Sequence, residues 1–163
     1  MLRVRNRQRL RRKDVADLAA ALESAFGGSA FQPDEPVDLA EAGPFRVLLV
    51  DQKAMGLLVG DRPVLTVRGL IAYRPTRRYV TVDMGAVKFV YNGADVMAPG
   101  IVEADPGIVA RDLVWVRDER NRQPLAVGEA LMSGAEMAAA DKGKAVKSIH
   151  HVGDDLWKLD ELD

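Results

Sequence analysis

The chain has 163 residues, of which 48% are hydrophobic, and a formal net charge of -1. This length accommodates one mid-sized domain or two small ones, and the hydrophobic fraction is ordinary for a globular protein. The absence of cysteine excludes disulfides and cysteine-based zinc sites, and the lack of any apolar run near ~18 residues argues against a membrane-spanning helix.

The small net charge conceals a strong separation of charge along the chain. Residues 1–13 carry seven basic side chains and no acid, whereas residues 14–45 carry seven acids and no base. Residues 2–6 alternate apolar and polar side chains, which predicts a strand. The arginines of this segment either contact phosphates or form the solvated face of an edge strand, where charges discourage aggregation.

A helix is expected from Asp14, because the apolar residues that follow recur at the spacing of one helical face. Gly27-Gly28 ends it. Residues 29–44 contain three prolines and several acids, so we expect a loop that includes one helical turn at residues 37–42. Residues 45–50 and 55–59 are rich in β-branched and apolar side chains and predict a hairpin.

Thr66 is placed to cap a short helix in which Val67, Leu70 and Ile71 share one face. Pro75 disfavours helical backbone at Arg74, so this helix ends there. These elements predict a small mixed α/β unit in the N-terminal half.

The stretch from residue 79 to residue 101 has an unusual order of signals. Residues 79–82 predict a strand, Asp83 is placed to cap a helix, and Asn92-Gly93 is placed to stop it. The expected apolar face of this helix consists of Ala86, Val87, Phe89 and Val90. Residues 94–97 are extended again, and Pro99-Gly100 turns the chain.

The C-terminal part predicts short strands with tight turns, a pattern typical of a small barrel. Strands are expected at residues 113–116, 125–132, 151–152 and 156–159. The charged residues 118–123 predict an exposed hairpin tip, and residues 153–155 predict a second hairpin turn. Ser133 and Glu136 form the pattern of a capping box at the start of a helix. Phe89, Trp115 and Trp157 are assigned to the core.

Two blocks of this sequence resemble the PUA domain, and most closely that of the malignant T-cell-amplified-sequence family and its archaeal relatives. The first block is residues 79–101; the second consists of Lys142-Gly143, Ile149-His150 and the Asp-x-Leu-Trp of residues 154–157. Ala98 departs from the animal members, which carry cysteine there. The resemblance implies an α+β protein, with a small mixed α/β pre-PUA domain at residues 1–75 and a PUA-type β-barrel at residues 76–163.

In PUA domains the RNA groove is formed by this helix, the following strand and the final strand region. The resemblance therefore implies RNA contacts by Lys88, Asn92, Gly93, Ala94, Val96, Met97, Pro99 and Gly100, with Lys142, Lys144 and Lys147 as a neighbouring basic set. The lysines have an equally plain interpretation as a solvated face.

Little in the sequence indicates catalysis. His150 and His151 are adjacent, so on a strand they point to opposite faces and cannot chelate one metal. Asp83 could suggest the aspartate of a pseudouridine synthase, but the N-terminal half is too short for that catalytic domain, and we interpret Asp83 as a helix cap. We expect no enzymatic activity, no metal and no cofactor.

Two functions follow from the resemblance. The first is an RNA-binding translation factor that binds tRNA or rRNA at the small ribosomal subunit, together with a translation-factor partner. The second is an accessory subunit that delivers RNA to a modification enzyme. A cytoplasmic location without membrane binding is expected for both, since the basic N-terminus lacks the apolar segment of a secretory signal.

Overall fold

The computed structural model describes residues 1–32 and 34–161, with side chains through residue 159. The chain divides into two compact units: Met1–Thr76 together with the segment from Asp155 onward, and Arg77–Asp154. No helix within the described ranges is long and apolar enough to span a membrane.

In its described residues, the first unit contains a five-stranded antiparallel sheet and three helices. Its elements are β1 (Val4–Arg9), α1 (Arg12–Phe26), β2 (Val37–Ala42), β3 (Phe45–Val50), β4 (Lys53–Val59), β5 (Arg62–Leu65), α2 (Val67–Tyr73) and α5 (Asp155–Glu161). The strands lie in chain order, β1-β2-β3-β4-β5. The predicted hairpin of β3 and β4 is present, and its turn residues Asp51 and Gln52 both have positive φ, as a tight two-residue hairpin turn requires.

The predicted helical ends in this unit are largely confirmed. Helix α1 begins two residues before the expected Asp14 and ends at Gly27, whose φ is 76°. The Thr66 hydroxyl accepts the Gly69 backbone N–H at 3.1 Å and caps α2. The expected shared face of α2 is only partly buried, because Val67 and Leu70 are buried whereas Ile71 is 46% exposed.

The expected loop with a helical turn at residues 37–42 is wrong, because these residues form strand β2. Strand β2 pairs with β1 on one side and with β3 on the other, so its backbone groups are satisfied by neighbours distant in sequence. The turn at Gly43, with φ of 57°, reverses the chain from β2 into β3. The acid Asp38, which argued against a strand, is paired with arginines from β1.

The expected hairpin strand at residues 156–159 is also wrong, because this segment is helix α5. Helix α5 groups with the first unit, whereas the sequence placed everything from residue 76 onward in the second domain. Within the first unit, the Arg68 guanidinium lies 4.0 Å from the centre of the Trp157 ring, and its Nη2 donates to the Trp157 carbonyl at 3.2 Å. Trp157 is half-buried in this contact and is not a core residue of the second unit.

The second unit is a curved sheet with two short helices. Its elements are β6 (Tyr79–Val82), α3 (Met84–Tyr91), β7 (Val96–Met97), β8 (Ile101–Ala104), β9 (Leu113–Asp118), β10 (Pro124–Ala130), α4 (Gly134–Ala139) and β11 (Lys144–His151). The strand order is β7-β11-β10-β9-β6-β8, and β6 pairs with β9 in parallel. A single 3-10 turn, Ala98–Gly100, joins the two end strands β7 and β8. The sheet therefore curls into the expected, nearly closed barrel.

The interior of this barrel is formed mainly by apolar side chains of the strands, together with the buried Val90 of α3 and Met137 of α4. Its buried members include Val80, Val82, Val90, Val114, Val116, Leu125, Met137 and Val146. Trp115 is buried as expected, and its indole N–H donates to the Arg77 carbonyl. The predicted capping box is present at α4, where Ser133 and Glu136 each accept the other's backbone N–H.

Candidate nucleic-acid interface

The second unit has an open cavity of about 620 Å³ between α3 and the segment of residues 94–100. Its walls are formed by Asp83, Gly85, Ala86, Phe89, Val90, Ala94, Asp95, Val96, Met97, Pro99, Gly100 and Lys144. Most of these side chains are apolar. Phe89 and Met97 are exposed to 55% and 46%, which is unusual for large apolar side chains in a folded domain.

Local sequence signals fix both ends of α3. The carboxylate of Asp83 accepts the Ala86 backbone N–H at 2.9 Å, so Asp83 is the helix cap that the sequence predicted. At the other end, Gly93 has a φ of 83°. The Gly93 N–H donates to the Val90 carbonyl, and the Ala94 N–H donates to the Phe89 carbonyl. These two hydrogen bonds define a Schellman motif, which ends the helix. The chain therefore turns back immediately, and residues 94–97 line the cavity beside the helix.

The assignment of Phe89 to the core is wrong. Val90 is the buried residue of α3, and Ala86 lies one turn before it on the same side. Phe89 is rotated by about 100° from Val90 around the helix, and it shares the cavity side with Gly85, one turn earlier. Phe89 and Val90 are adjacent in the predicted apolar face of α3, and the helical rotation between them buries Val90 while Phe89 points away from the core.

The charged groups of the cavity are few and partly paired. Lys144 Nζ lies 3.4 Å from Asp95 Oδ2, and Asp95 Oδ1 accepts the Ser148 backbone N–H at 2.9 Å. Asp95 thereby links the start of β7 to β11. Among the described residues that line the cavity, Lys144 is the one cation, and its side chain remains 62% exposed.

Six of the eleven residues assigned to RNA by resemblance line this cavity: Ala94, Val96, Met97, Pro99, Gly100 and Lys144. The other five, Lys88, Asn92, Gly93, Lys142 and Lys147, lie outside its lining. Lys88 is nevertheless close, since its Nζ is 5.2 Å from the centre of the Phe89 ring. Phe89 and Asp95 line the cavity but were not among the predicted RNA contacts. For Phe89, the sequence signal was its position one helical turn after Gly85, which places both residues on one side of α3.

The two histidines of β11 have different surroundings. His150 is 1% exposed, and its Nδ1 lies 2.8 Å from an Asp154 carboxylate oxygen. His151 is half-exposed, with its Nδ1 2.9 Å from the Val152 carbonyl. Within the described part of the chain, no three His, Cys, Asp or Glu side chains are grouped to hold a metal ion.

Comparison with known proteins identifies the second unit. The family model of the PUA domain matches residues 78–152. A crystal structure of a hypothetical protein from Pyrococcus horikoshii superposes with a TM-score of 0.83 at 38% identity, covering 94% of this chain and 98% of that one. A conserved PUA-domain protein from Thermoplasma acidophilum superposes with a TM-score of 0.80 at 29% identity, covering 94% and 98%.

Sequence relatives extend the similarity to both halves. An uncharacterized Methanocaldococcus jannaschii protein, MJ1432, is 42% identical over 160 residues, or 97% of this chain and 99% of that protein. Translation machinery-associated protein 20 of Eremothecium gossypii is 36% identical over 100 residues, 58% of this chain and 55% of that protein. Human malignant T-cell-amplified sequence 2 is 32% identical over 97 residues, 58% of this chain and 54% of that protein. The chain thus belongs to the PUA-domain family, as a homologue of archaeal PUA proteins and of the translation machinery-associated protein 20 and malignant T-cell-amplified-sequence proteins.

Proposed function

We propose that this protein binds tRNA or rRNA during translation, at the small ribosomal subunit and with a translation-factor partner, without catalysing a reaction. PUA domains are RNA-binding rather than catalytic domains, and the relatives named translation machinery-associated protein 20 support a role in translation. The observation that carries the proposal is the apolar cavity with its exposed Phe89.

The cavity has the chemistry to accept an unpaired nucleobase. RNA-binding proteins recognise single-stranded bases largely by stacking them on exposed aromatic rings. Such stacking contributes about 1–3 kcal/mol per base. The Phe89 ring supplies that surface, Met97 supplies a second apolar wall, and Gly85 and Gly100 leave the backbone open to close approach.

Phosphate contacts would come from the lysines around the cavity. Lys144 lines it, and Lys88 lies beside the Phe89 ring, so both could reach the phosphates that flank a stacked base. Lys142 and Lys147 are exposed and extend the basic set. Asn92 and Gly93 contribute by forming the turn that brings residues 94–97 to the cavity.

Salt-dependent binding to unfractionated tRNA tests this assignment. Lys144→Gln and Lys88→Gln should each weaken binding and reduce the slope of log affinity against log salt by about one. Arg120→Gln, which removes an exposed charge from the β9–β10 hairpin tip of the same unit, should leave both unchanged. Wild-type affinity and slope in both lysine variants would place the RNA elsewhere.

The RNA target separates the two functions that the sequence left open. RNA crosslinked to the protein in cells can be sequenced. Enrichment of rRNA and initiator tRNA is expected for a translation factor. A collection of modification sites would instead identify an accessory subunit that delivers RNA to a modifying enzyme.

A further inference from the structure

The basic N-terminal segment forms the edge strand β1 of the first unit. All six residues of β1 are exposed, and among the strands that the structure describes β1 pairs with β2 alone. The basic residues of this segment are Arg3, Arg5, Arg7, Arg9, Arg11, Arg12 and Lys13. The proposed RNA cavity of the second unit makes no use of them.

Two of these arginines are held in place by one carboxylate. Asp38 is 7% exposed, and its two oxygens accept the Nε groups of Arg7 and Arg9, each at 2.5 Å. Arg7 Nη1 also donates to Gln52 at 2.8 Å. One negative charge thus serves two guanidinium groups, and the cluster retains a net charge of +1. The 64% exposed Arg9 side chain keeps its terminal N–H groups available for an anion.

A bulge at Asn6 distributes the cations over both faces of the strand. Asn6 has a φ of 53° and donates to Glu41 at 2.7 Å, and the pairing register shifts between Arg5 and Gln8. Arg9 therefore pairs opposite Asp38, while Arg5 pairs opposite Glu41. Among the described side chains, Arg3, Arg5, Arg12 and Lys13 have no carboxylate within ion-pair distance.

The positions of Arg12 and Lys13 oppose helix stability. They open α1, whose preceding residue Arg11 makes no side-chain capping bond, and cations there repel the positive end of the helix dipole. Asp14 is the acid in this first turn, and it pairs with Arg11 at 3.3 Å. The stability of α1 therefore gives no reason for cations at Arg12 and Lys13, and a role in binding accounts for them.

We propose that β1 and the residues leading into α1 form a second RNA-binding surface, which contacts the sugar-phosphate backbone. The inference rests on the proposed function for the identity of the ligand as RNA. Residues 1–13 contain no aromatic side chain, so this surface offers no base stacking. Beyond the bulge, Arg7 and Arg9 are alternate strand residues and recur at ~6.6–6.8 Å, a spacing comparable to that of successive phosphates. Arginine forks bind phosphate oxygens through two parallel hydrogen bonds.

We expect the RNA backbone to bind along the exposed edge of β1 and not in the neighbouring cavity. A cavity of about 370 Å³ beside Arg7 and Arg9 is bordered by the carboxylates of Glu35 and Asp51, which would repel a phosphate. Arg3, Arg5, Arg12 and Lys13 are the residues to test, because changing them leaves the buried Asp38 with both of its partners.

The test uses the full chain with two probes, unfractionated tRNA and a blunt RNA duplex, which has no unpaired base for the cavity. The variants are Arg3→Gln with Arg5→Gln, and Arg12→Gln with Lys13→Gln. The matched control is Arg46→Gln with Arg62→Gln, on β3 and on the opposite edge strand β5. Each test pair should weaken binding of both probes about tenfold at low salt and lower the salt slope by about one to two. The control pair should change neither quantity.

Each contrary result has a distinct meaning. If wild type binds neither probe, the proposed function and this inference both fail. If Lys144→Gln weakens tRNA binding while both test pairs behave as wild type, this inference alone fails. If the test pairs and the control pair lose RNA affinity equally, the effect comes from the change in net charge, and the inference is overturned. Loss of binding to phosphatidylserine vesicles with intact RNA binding would assign the surface to anionic lipid instead.

Discussion

The ring of His151 lies against Gly93, so that a Cβ placed on Gly93 would come within 2.9 Å of the imidazole Nε2. Gly93 also has a φ of 83°, a conformation in which other residues are strained. Glycine at residue 93 is therefore required for two reasons. The backbone needs positive φ there, and the side chain of His151, 58 residues later in the chain, leaves no space for a Cβ.

These two requirements can be separated by substitution. Gly93→Ala should lower the free energy of unfolding by about 1–3 kcal/mol, and Gly93→Val by more, because a β-branched residue is worse at positive φ. RNA affinity should fall as well, since the turn positions residues 94–97. Urea unfolding and tRNA titration measure the two effects.

Gly153 is the matched control, because its φ is 87° and nothing lies within 4 Å of a Cβ built on it. Gly153→Ala should therefore show the backbone strain without the steric conflict. His151→Ala in the Gly93→Ala background should recover the difference between the two glycine variants. Equal losses for Gly93→Ala and Gly153→Ala would show that the His151 contact carries no energy.

The sequence predicted elements well where a local signal fixes them. Capping at Thr66, Asp83 and Ser133 was read from single side chains and is confirmed by their hydrogen bonds to backbone N–H groups. The glycine stops at residues 27 and 93 were equally local, because glycine, lacking a Cβ, adopts positive φ at little steric cost.

The errors arose where distant partners decide the structure. Strand β2 exists because β1 and β3 pair with it, and Asp38 is tolerated there because Arg7 and Arg9 reach it. Strand β5 was not predicted; it contains Pro63, which a central strand would exclude but an edge strand accommodates. Helix α5 stands where a strand was predicted, because Gly153 and the adjacent acids form the sequence pattern of a hairpin turn.

The sequence predicted the course of the segment that lines the cavity, while the RNA contacts of its residues stay a prediction. Residues 94–100 were correctly placed beside the helix, since the stop at Gly93 requires the chain to return. The role of Phe89 was inverted, because helical spacing defines a stripe without saying which of two adjacent apolar residues faces the core.

Phe89 should therefore matter for binding rather than for folding. Phe89→Ala should reduce affinity for tRNA by roughly 10- to 100-fold, the equivalent of one lost base stack. Its free energy of unfolding should change by less than about 1 kcal/mol, because the ring is already exposed. Tyr91→Ala is the control, since Tyr91 lies on the same helix at 44% exposure but does not line the cavity. A large drop in the free energy of unfolding of Phe89→Ala with unchanged tRNA affinity would show that Phe89 acts as a core residue and not as a binding residue.

Asp83 should behave as a structural cap and not as a reactive group. Asp83→Ala removes the bond to the Ala86 N–H and should lower the free energy of unfolding by about 0.5–2 kcal/mol. Asp83→Ser preserves a capping oxygen and should retain most of that stability. Both variants remove a negative charge from the cavity wall and should strengthen tRNA binding at low salt. Unfolding curves that do not distinguish Ala from Ser would contradict the capping role.

The Asp38 cluster predicts a specific pH dependence of stability. Hydrogen bonds from Arg9, and then from Arg7, hold the pKa of Asp38 below its ordinary value. Because the folded pKa is lower than the unfolded one, the ionised carboxylate stabilises the fold above the unfolded pKa of about 4. That stabilisation is lost as the pH falls through the folded pKa. Asp38→Asn should thus lower the free energy of unfolding by about 1–3 kcal/mol at neutral pH.

Urea unfolding between pH 3 and pH 8 checks this prediction, with pH the only variable. The difference between wild type and Asp38→Asn should stay constant from neutral pH down to about pH 5 and then shrink. Arg9→Ala should also destabilise the fold at neutral pH, because it leaves the buried carboxylate with one partner fewer. Asp14→Asn is the control, since the Asp14 side chain is 40% exposed and its ion pair with the exposed Arg11 is of the kind that contributes little. A difference that grows toward low pH would mean that Asp38 is protonated in the folded state, and the Arg7–Asp38–Arg9 arrangement would then be wrong.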